Sequence, residues 1–376
     1  MRAALQVAGG FVQRNVVKIG IVCEEGDGAR FYNRWYFVYL LRVTGKLAHH
    51  PMGFRDRQAM ATIKDVAEHS GISIKTVSRV INGVRTVRPK VREKVEASIR
   101  ELNYRPALAA RQLASGRSFI IALISPRQTY SYFSRIMVAT ADACRKVGYH
   151  LVLEVMDRED WTITLSCEPD AVIVVPPFAD NPRVLAELAK LDKPLVRIAG
   201  KNDGIGRSVE VHDHAIARDM AHYLADKGHQ VLAMIAPPRP DMASDERLTG
   251  FRDGLAERGL ELPDSHVVRA GMTFAEGERA FRDLMALPRR PGAIFAANDQ
   301  MALGAMACAL RMGFRVPQDV AIAGFDNSDE GQMCYPALTS IHQPVEEIAR
   351  IAVDLALDRP CADAGFAHHL VIRESA

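Results

Sequence analysis

The sequence lacks paired cysteines, which removes two ways of holding a small fold together. Its six cysteines, Cys23, Cys144, Cys167, Cys308, Cys334 and Cys361, stand far apart with no CxxC spacing. Neither a zinc site nor a disulfide framework is encoded, and the thiols read as reduced. Long apolar runs are missing too. The aromatic stretch Trp35 to Leu41 is closed by Arg34 and Arg42, and no cleavable leader stands out, so a cytoplasmic address is expected and a membrane one is not. Also absent are a GxGxxG after a strand, a GxxxxGK[ST] phosphate loop and a GxSxG elbow, the commonest marks of nucleotide-dependent and hydrolytic enzymes. His49 and His50 are adjacent without further ligands, so no metal is expected, and no cofactor motif is present.

What is present is a soluble, globular composition, with 25% charged and 48% apolar residues over 376 positions, enough for two or three domains. The formal charge of +3 hides an asymmetry. Residues 60–118 carry twelve Lys/Arg against five Asp/Glu, residues 1–59 nine against four, and the rest of the chain is net −9. A basic head on an acidic body concentrates affinity for polyanions at one end, and such binding weakens steeply with salt.

The basic region has a defined order of parts. Thr62 and Asp65 have the spacing of a capping box at the start of a helix whose apolar stripe is Ile63, Val66 and Ala67. Gly71 then allows a sharp turn and Ser73 caps a second helix, on which Ile74, Val77 and Ile81 recur at helical spacing. Lys75, Ser78 and Arg79 share the opposite face of that helix. They are either solvated charges or the donor face of a helix-turn-helix that fits a DNA major groove. Pro89 starts a third helix that buries Val91, Val95 and Ile99 through Leu102 against the first two. After the break Asn103 to Pro106 comes a short helical segment, Ala107 to Ser115, stopped by Gly116. It is too short to be stable alone. Its Leu113, between Arg111 and Arg117, is either a core residue of the following domain or a wedge for a DNA minor groove.

Ala61 to Glu68 (ATIKDVAE), Ser73 to Asn82 (SIKTVSRVIN), Arg92 to Val95 (REKV), Leu102 to Pro106 (LNYRP) and Ala109 to Ala114 (AARQLA) resemble the head and hinge of the lactose-repressor (LacI/GalR) family of bacterial transcription regulators. The resemblance implies that Ile74, Lys75 and Arg79 read bases, that Ser73, Thr76 and Asn82 anchor phosphates, and that Leu113 is the minor-groove lever of a hinge helix. Members of that family commonly begin just before the Thr62 motif, near Met60. Residues 1–59 are therefore expected to be an over-called start or a disordered arm, although Val16 to Val22 reads as β-like.

From Phe119 onward, short β-branched runs alternate with helical stretches. Strands are expected at Phe119 to Ile124, Tyr149 to Val155, Ala171 to Val175 and Pro194 to Ile198, then at Val231 to Ala236, Ala293 to Ala297 and Val320 to Phe325. Helices are expected at Phe133 to Val147, His214 to Lys227, Arg247 to Arg258, Glu276 to Leu287 and Gln300 to Met312. Two α/β lobes, each a doubly wound parallel sheet, account for both series. Ligands of such sheets sit beyond the carboxyl ends of strands, where this chain has Asn298-Asp299 and Asp326-Asn327.

Tyr132-Phe133, Gly228-His229, Glu246 to Phe251 (ERLTGF), Ala296 to Met306 (AANDQMALGAM), Arg315 to Val320 (RVPQDV) and Ala323 to Asp326 (AGFD) extend the resemblance to the family's effector domain, which is like a periplasmic sugar-binding protein. It implies that Phe133 stacks on an effector ring, that Arg247 and Asp326 hydrogen-bond it, and that Asn298 and Gln343 line the cleft. The residues themselves leave alternatives: Phe133 in the core, Arg247 paired with Asp245 or Glu246, Asn298 as a helix cap. Met272 stands where relatives often have an aromatic, and the crossover between Asp157 and Asp170 is about one helix short, leaving Trp161 to Leu165.

The domains expected are thus 1–59, a small all-α helix-turn-helix head at 60–105, a hinge at 106–118, and a two-lobed effector-binding and dimerisation domain at 119–372. The function implied is a repressor of carbohydrate-related genes, not an enzyme, acting at the nucleoid. It binds palindromic double-stranded operator DNA as a homodimer, under a sugar-like effector whose binding closes the lobes and alters hinge folding at Leu113. No heptad-rich tail follows Val371, which favours a dimer over a tetramer. The competing reading is a two-lobed sugar-binding receptor or an enzyme on the same fold; Asp213, in Val211-His212-Asp213-His214, sits at a strand-to-helix junction where such residues usually cap.

Overall fold

A computed structural model describes residues 16–19, 36–39, 61–81, 84, 86–104, 111–112, 115–127, 131–156, 163–237, 242–361 and 368–376. It divides into two units, Met1–Arg105 and Pro106–Ala376. In the first, β1 (Val16–Ile19) and β2 (Tyr36–Tyr39) pair antiparallel, Val16 opposite Tyr39. The region expected to be a disordered arm therefore contains a short ladder, built from the β-branched and aromatic residues that favour one.

Three helices follow. In α1 (Ile63–Ser70) the capping box forms: the Thr62 amide donates to Asp65 at 2.6 Å and the Asp65 amide to Thr62 Oγ1 at 3.4 Å. The Thr62 amide, and then the Thr62 hydroxyl at 2.8 Å, both donate to Asp65 Oδ2 and hold that carboxyl below its ordinary range. Gly71, with φ of +61°, ends the helix in the left-handed conformation that a residue without a Cβ adopts freely. α2 (Ile74–Ile81) and α3 (Pro89–Glu101) close over a core of Val66, Val77, Val80, Val95 and Tyr104. Val91, expected inside, is only half-buried and lies outside that cluster.

The second unit is two lobes. The first has a wholly parallel sheet ordered β4-β3-β5-β6-β7, from β3 (Ile120–Pro126), β4 (His150–Met156), β5 (Ala171–Val174), β6 (Leu195–Ile198) and β7 (Arg207–Val209). One face is covered by α4 (Ser131–Lys146) and the other by α5 (Pro182–Ala189), whose Val184, Leu185 and Leu188 are buried. Between β4 and β5 the described residues 163–170 contain no helix. Ile163 and Leu165, partly buried, pack against the cluster that contains Ala122, Ile124 and Val172, so the described part of the crossover covers that face. Trp161 lies outside the described residues.

The second lobe is ordered β13-β12-β11-β10-β8-β9, comprising β8 (Leu232–Ala236), β9 (Val267–Arg269), β10 (Ala293–Ala296), β11 (Ala321–Asp326), β12 (Thr339–His342) and β13 (His369–Val371). All pairs are parallel except β12 with β13. Its helices are α6 (Asp213–Asp226), α7 (Met242–Glu257), α8 (Phe274–Met285), α9 (Asp299–Arg311) and the short α10 (Asp329–Met333). α6 packs tightly on α7 at Gly250, where any Cβ would collide with the His214 carbonyl.

The strand order hides three crossings between the lobes. The chain leaves the first sheet after β7 and enters the second lobe as α6. It leaves again after β12 as α11 (Val345–Ala356), whose Val345, Ile348, Ala349 and Ala352 are buried in the first lobe with Phe133 and Ile136. It then returns to the second sheet as β13. Asp213, Gln343 and His368 each stand at one of these crossings.

Candidate DNA-binding face and effector cleft

On α2 the apolar side is Val77 and Val80, whereas Ile74 is 45% exposed beside exposed Ser73, Lys75 and Arg79. Ile74 thus belongs to the outward face. Ser73 Oγ lies 3.0 Å from Thr76 Oγ1, and the half-buried Thr76 keeps its place at the first turn. Arg79 donates through Nη2 to Thr86 Oγ1 at 2.8 Å, which limits the rotamers of a long cation before any DNA arrives. Asn82 and Leu113 lie outside the described residues. Next to Leu113, Arg111 holds its guanidinium 3.9 Å above the Phe119 ring.

In the second unit, Arg247, Asn298, Asp326 and Gln343 come together. Arg247, on α7, donates through Nε to Asp213 at 2.8 Å and through Nη1 to the Ala297 carbonyl at 2.6 Å. Its guanidinium lies 3.6 Å over the ring of Phe325, the residue before Asp326. The Asp213 side chain is 1% exposed and that of Arg247 10%, so this is a buried ion pair. Asp245, the neighbour offered by the sequence, pairs with Arg269 instead. Asn298 caps α9 by accepting from the Met301 amide at 2.8 Å, the alternative its sequence context offered, and donates to the Met272 carbonyl at 3.2 Å. Gln343 donates to Asp326 Oδ1 at 2.6 Å. Burial first, then the negative charge of Asp299, pushes the Asp326 carboxyl upward.

Phe133 is placed in the core of the first lobe, its ring edge-on to Tyr132 at 5.4 Å. Two residues on, and so on the other side of the helix, Arg135 reaches the second lobe, donating to the Asp326 carbonyl at 3.0 Å. A cavity of about 370 Å³ lies where the first crossing runs, lined by Lys201, Glu210, His212, Asp213, His214 and Glu246 among others. It meets the cluster at Asp213.

Sequence reasoning missed Arg135 and His368, and it read Asp213 as a helix cap where the side chain instead ion-pairs with Arg247. His368 Nε2 is 3.9 Å from Asp213 Oδ1, and its ring is 6.1 Å from that of Phe325. The available signal was Arg247 itself, since a buried arginine requires a buried carboxylate. Burial, then the nearby Arg247 cation, pushes the His368 imidazole down to about 3 from 6.5. The unfolded chain therefore takes up the proton first. Stability is unaffected above pH 6.5 and falls as pH drops toward 3, by up to about 1.4 kcal/mol per unit from this residue. Urea midpoints at pH 7 and pH 5 should show the wild type losing about 2 kcal/mol more than His368→Gln; equal losses would remove His368 as the cause.

Among the described residues, no group of three or more His, Cys, Asp or Glu could hold a metal ion, and no helix is long and apolar enough to cross a membrane.

Comparison with known proteins matches residues 62–107 to the bacterial regulatory proteins of the lacI family and residues 221–375 to a periplasmic binding protein-like domain. The ribose operon repressor of Escherichia coli K12 is 32% identical over 320 residues, 80% of this chain and 93% of that protein. The HTH-type transcriptional repressor PurR of Escherichia coli O139:H28 is 33% identical over 312 residues, 80% of this chain and 90% of that one. Among solved structures, the lac repressor dimer bound to operator and the anti-inducer ONPF superposes with a TM-score of 0.67 at 26% identity, covering 84% of this chain and 98% of that one. The CelR–cellobiose complex gives 0.62 at 28% identity, covering 84% and 100%. The outward donor face of α2, the two crossed lobes and these likenesses agree: the chain belongs to the lacI family of bacterial regulatory proteins and is a DNA-binding transcriptional repressor controlled by a small-molecule effector.

Proposed function

We propose that the effector is an uncharged, sugar-like ligand held between the lobes by Arg247, Asn298, Asp326 and Gln343, whereas Phe133, expected to stack on its ring, is taken up by the first-lobe core. The observation that carries this is the charge balance of the cleft. Arg247 is already neutralised by Asp213, Asp326 is driven toward its uncharged form, and the cavity that meets the cluster at Asp213 sets one lysine, Lys201, against Glu210 and Glu246. Such a lining repels phosphorylated or carboxylated ligands and offers hydroxyl-sized hydrogen-bond partners instead. Ribose in the name of one relative and cellobiose in the complex of another fit that chemistry.

In this reading two copies of the chain read a palindromic operator through Ser73, Ile74, Lys75, Thr76, Arg79 and Asn82, with Leu113 entering the minor groove. A repressor of this kind works in the cytoplasm, at the nucleoid, and performs no catalysis. The test is release from an operator duplex selected by the wild-type protein from a random pool. D-ribose, D-glucose, D-galactose and cellobiose are titrated beside a sugar phosphate and a nucleobase. A neutral sugar should release, or tighten, the complex, and Asp326→Ala should abolish the response. A response to the phosphate or the base alone would overturn the proposal.

A further inference from the structure

We propose that Arg135 is a positioning residue that reaches from the first lobe to set the Asp326 turn, so that this effector contact is in place only when the two lobes hold their present arrangement. The inference rests on Asp326 as an effector contact. Asp326 has φ of +122° and Asn327 φ of +52°, conformations that residues with a Cβ adopt at a cost and keep only where their surroundings impose them.

The surroundings here are specific. From the second lobe, the Asn327 amide donates to Ser340 Oγ at 3.0 Å, the Ser328 amide to Asp299 Oδ2 at 2.6 Å, and Arg373 to the Asn327 side chain. From the crossing after β12, Gln343 fixes the Asp326 carboxyl. From the first lobe comes Arg135 Nη1, at 3.0 Å from the Asp326 carbonyl, the one strained peptide oxygen of the turn to which a cation donates. α4 is anchored in the first-lobe core by Phe133, Ile136 and Thr140, so Arg135 moves with that lobe. A shift of the lobes by an ångström or two breaks a hydrogen bond of this length, and the turn then loses a support that belongs to neither its own sheet nor its own helices. Lobe arrangement and effector contact are coupled at one atom.

Hydrogen exchange of the full-length protein without ligand reads the contact directly, through peptides spanning 324–330. Arg135→Ala should raise exchange there about tenfold while β8 and β10 stay protected, and Arg135→Lys should return it to within about threefold of wild type. The sugar concentration for half-release of the selected operator, with D-ribose and cellobiose as probes, should rise about tenfold in Arg135→Ala and be restored by Arg135→Lys. Unchanged exchange in Arg135→Ala overturns the proposal. So does a rise shared by β8 and β10 that lysine does not rescue, which marks a merely structural role. A wild type that answers to no sugar overturns the sugar reading by itself, and exchange then judges Arg135 alone.

Discussion

Arg247→Met lowers the stability of the regulatory unit by about 3–5 kcal/mol, because it leaves the Asp213 carboxylate buried without its cation. Methionine nearly matches the length of the arginine stem and still packs on Phe325, so little of the loss is a cavity. His368, 3.9 Å from Asp213, is held in its neutral form, and it does not replace a guanidinium. The double change Asp213→Leu with Arg247→Met removes both charges, and it should recover most of that loss. Urea unfolding of the two single variants and the double one closes the cycle, with an expected coupling of about 3 kcal/mol or more, since it includes all of the loss that the double change recovers. Arg247→Met within about 1 kcal/mol of wild type would mean that the pair is hydrated and that the cleft is not charge-balanced as argued. In the proposed site the same pair matters for binding, since a guanidinium fixed by Asp213, the Ala297 carbonyl and Phe325 would lose little further freedom on meeting a hydroxyl.

Most of the framework was legible in the sequence because its signals are local. The strands β3, β5, β8, β10 and β11 are runs of buried β-branched and small residues bounded by turns, and the capping box of α1 is complete within four residues. Short or polar elements escaped. β12 carries Thr339, Ser340 and His342, too polar a run to stand out as a buried strand, and inside the fold Ser340 donates to Asp299 of α9. α11 has a clear apolar stripe, but nothing in its own residues says that it packs on the lobe the chain left 130 residues earlier.

The site shows the same division. Asn298 and Asp326 were candidates because they stand at the carboxyl ends of strands, a local rule. Asp213, Gln343 and His368 stand where the chain crosses between lobes, and a crossing is a property of topology that no window of sequence contains. Gln343 was reached only through family resemblance. Asp213 lies 34 positions from its partner Arg247, and Arg135 lies 191 from Asp326. The residues that tie the lobes together are therefore those hardest to read from the chain.

Arg79→Ala should cost the repressor about 10²–10⁴ in affinity for its operator, since one base-reading contact is worth about 1–3 kcal/mol and a dimer makes it twice. The structure makes Arg79 a better candidate than an average surface cation. It stands on the exposed side of α2 beside Ile74 and Lys75, and Thr86 holds its guanidinium at 2.8 Å. Its replacement should flatten the preference for the selected operator over random duplex, because lost base contacts take sequence information with them, whereas lost phosphate contacts weaken all duplexes alike. Salt separates the two contributions. Residues 60–118 carry a net charge of +7, and a dimer that neutralises six to ten phosphates loses about 10³–10⁵ in affinity between 50 and 200 mM salt. Arg79→Ala should leave that slope nearly unchanged while it abolishes discrimination, and Lys75→Ala should do the same if both side chains face base edges. Fluorescence anisotropy at three salt concentrations on the selected and the random duplex measures both quantities. An Arg79 variant that keeps its discrimination and loses slope would show that the residue grips the backbone, and the reading face would then have to be sought on another side of α2.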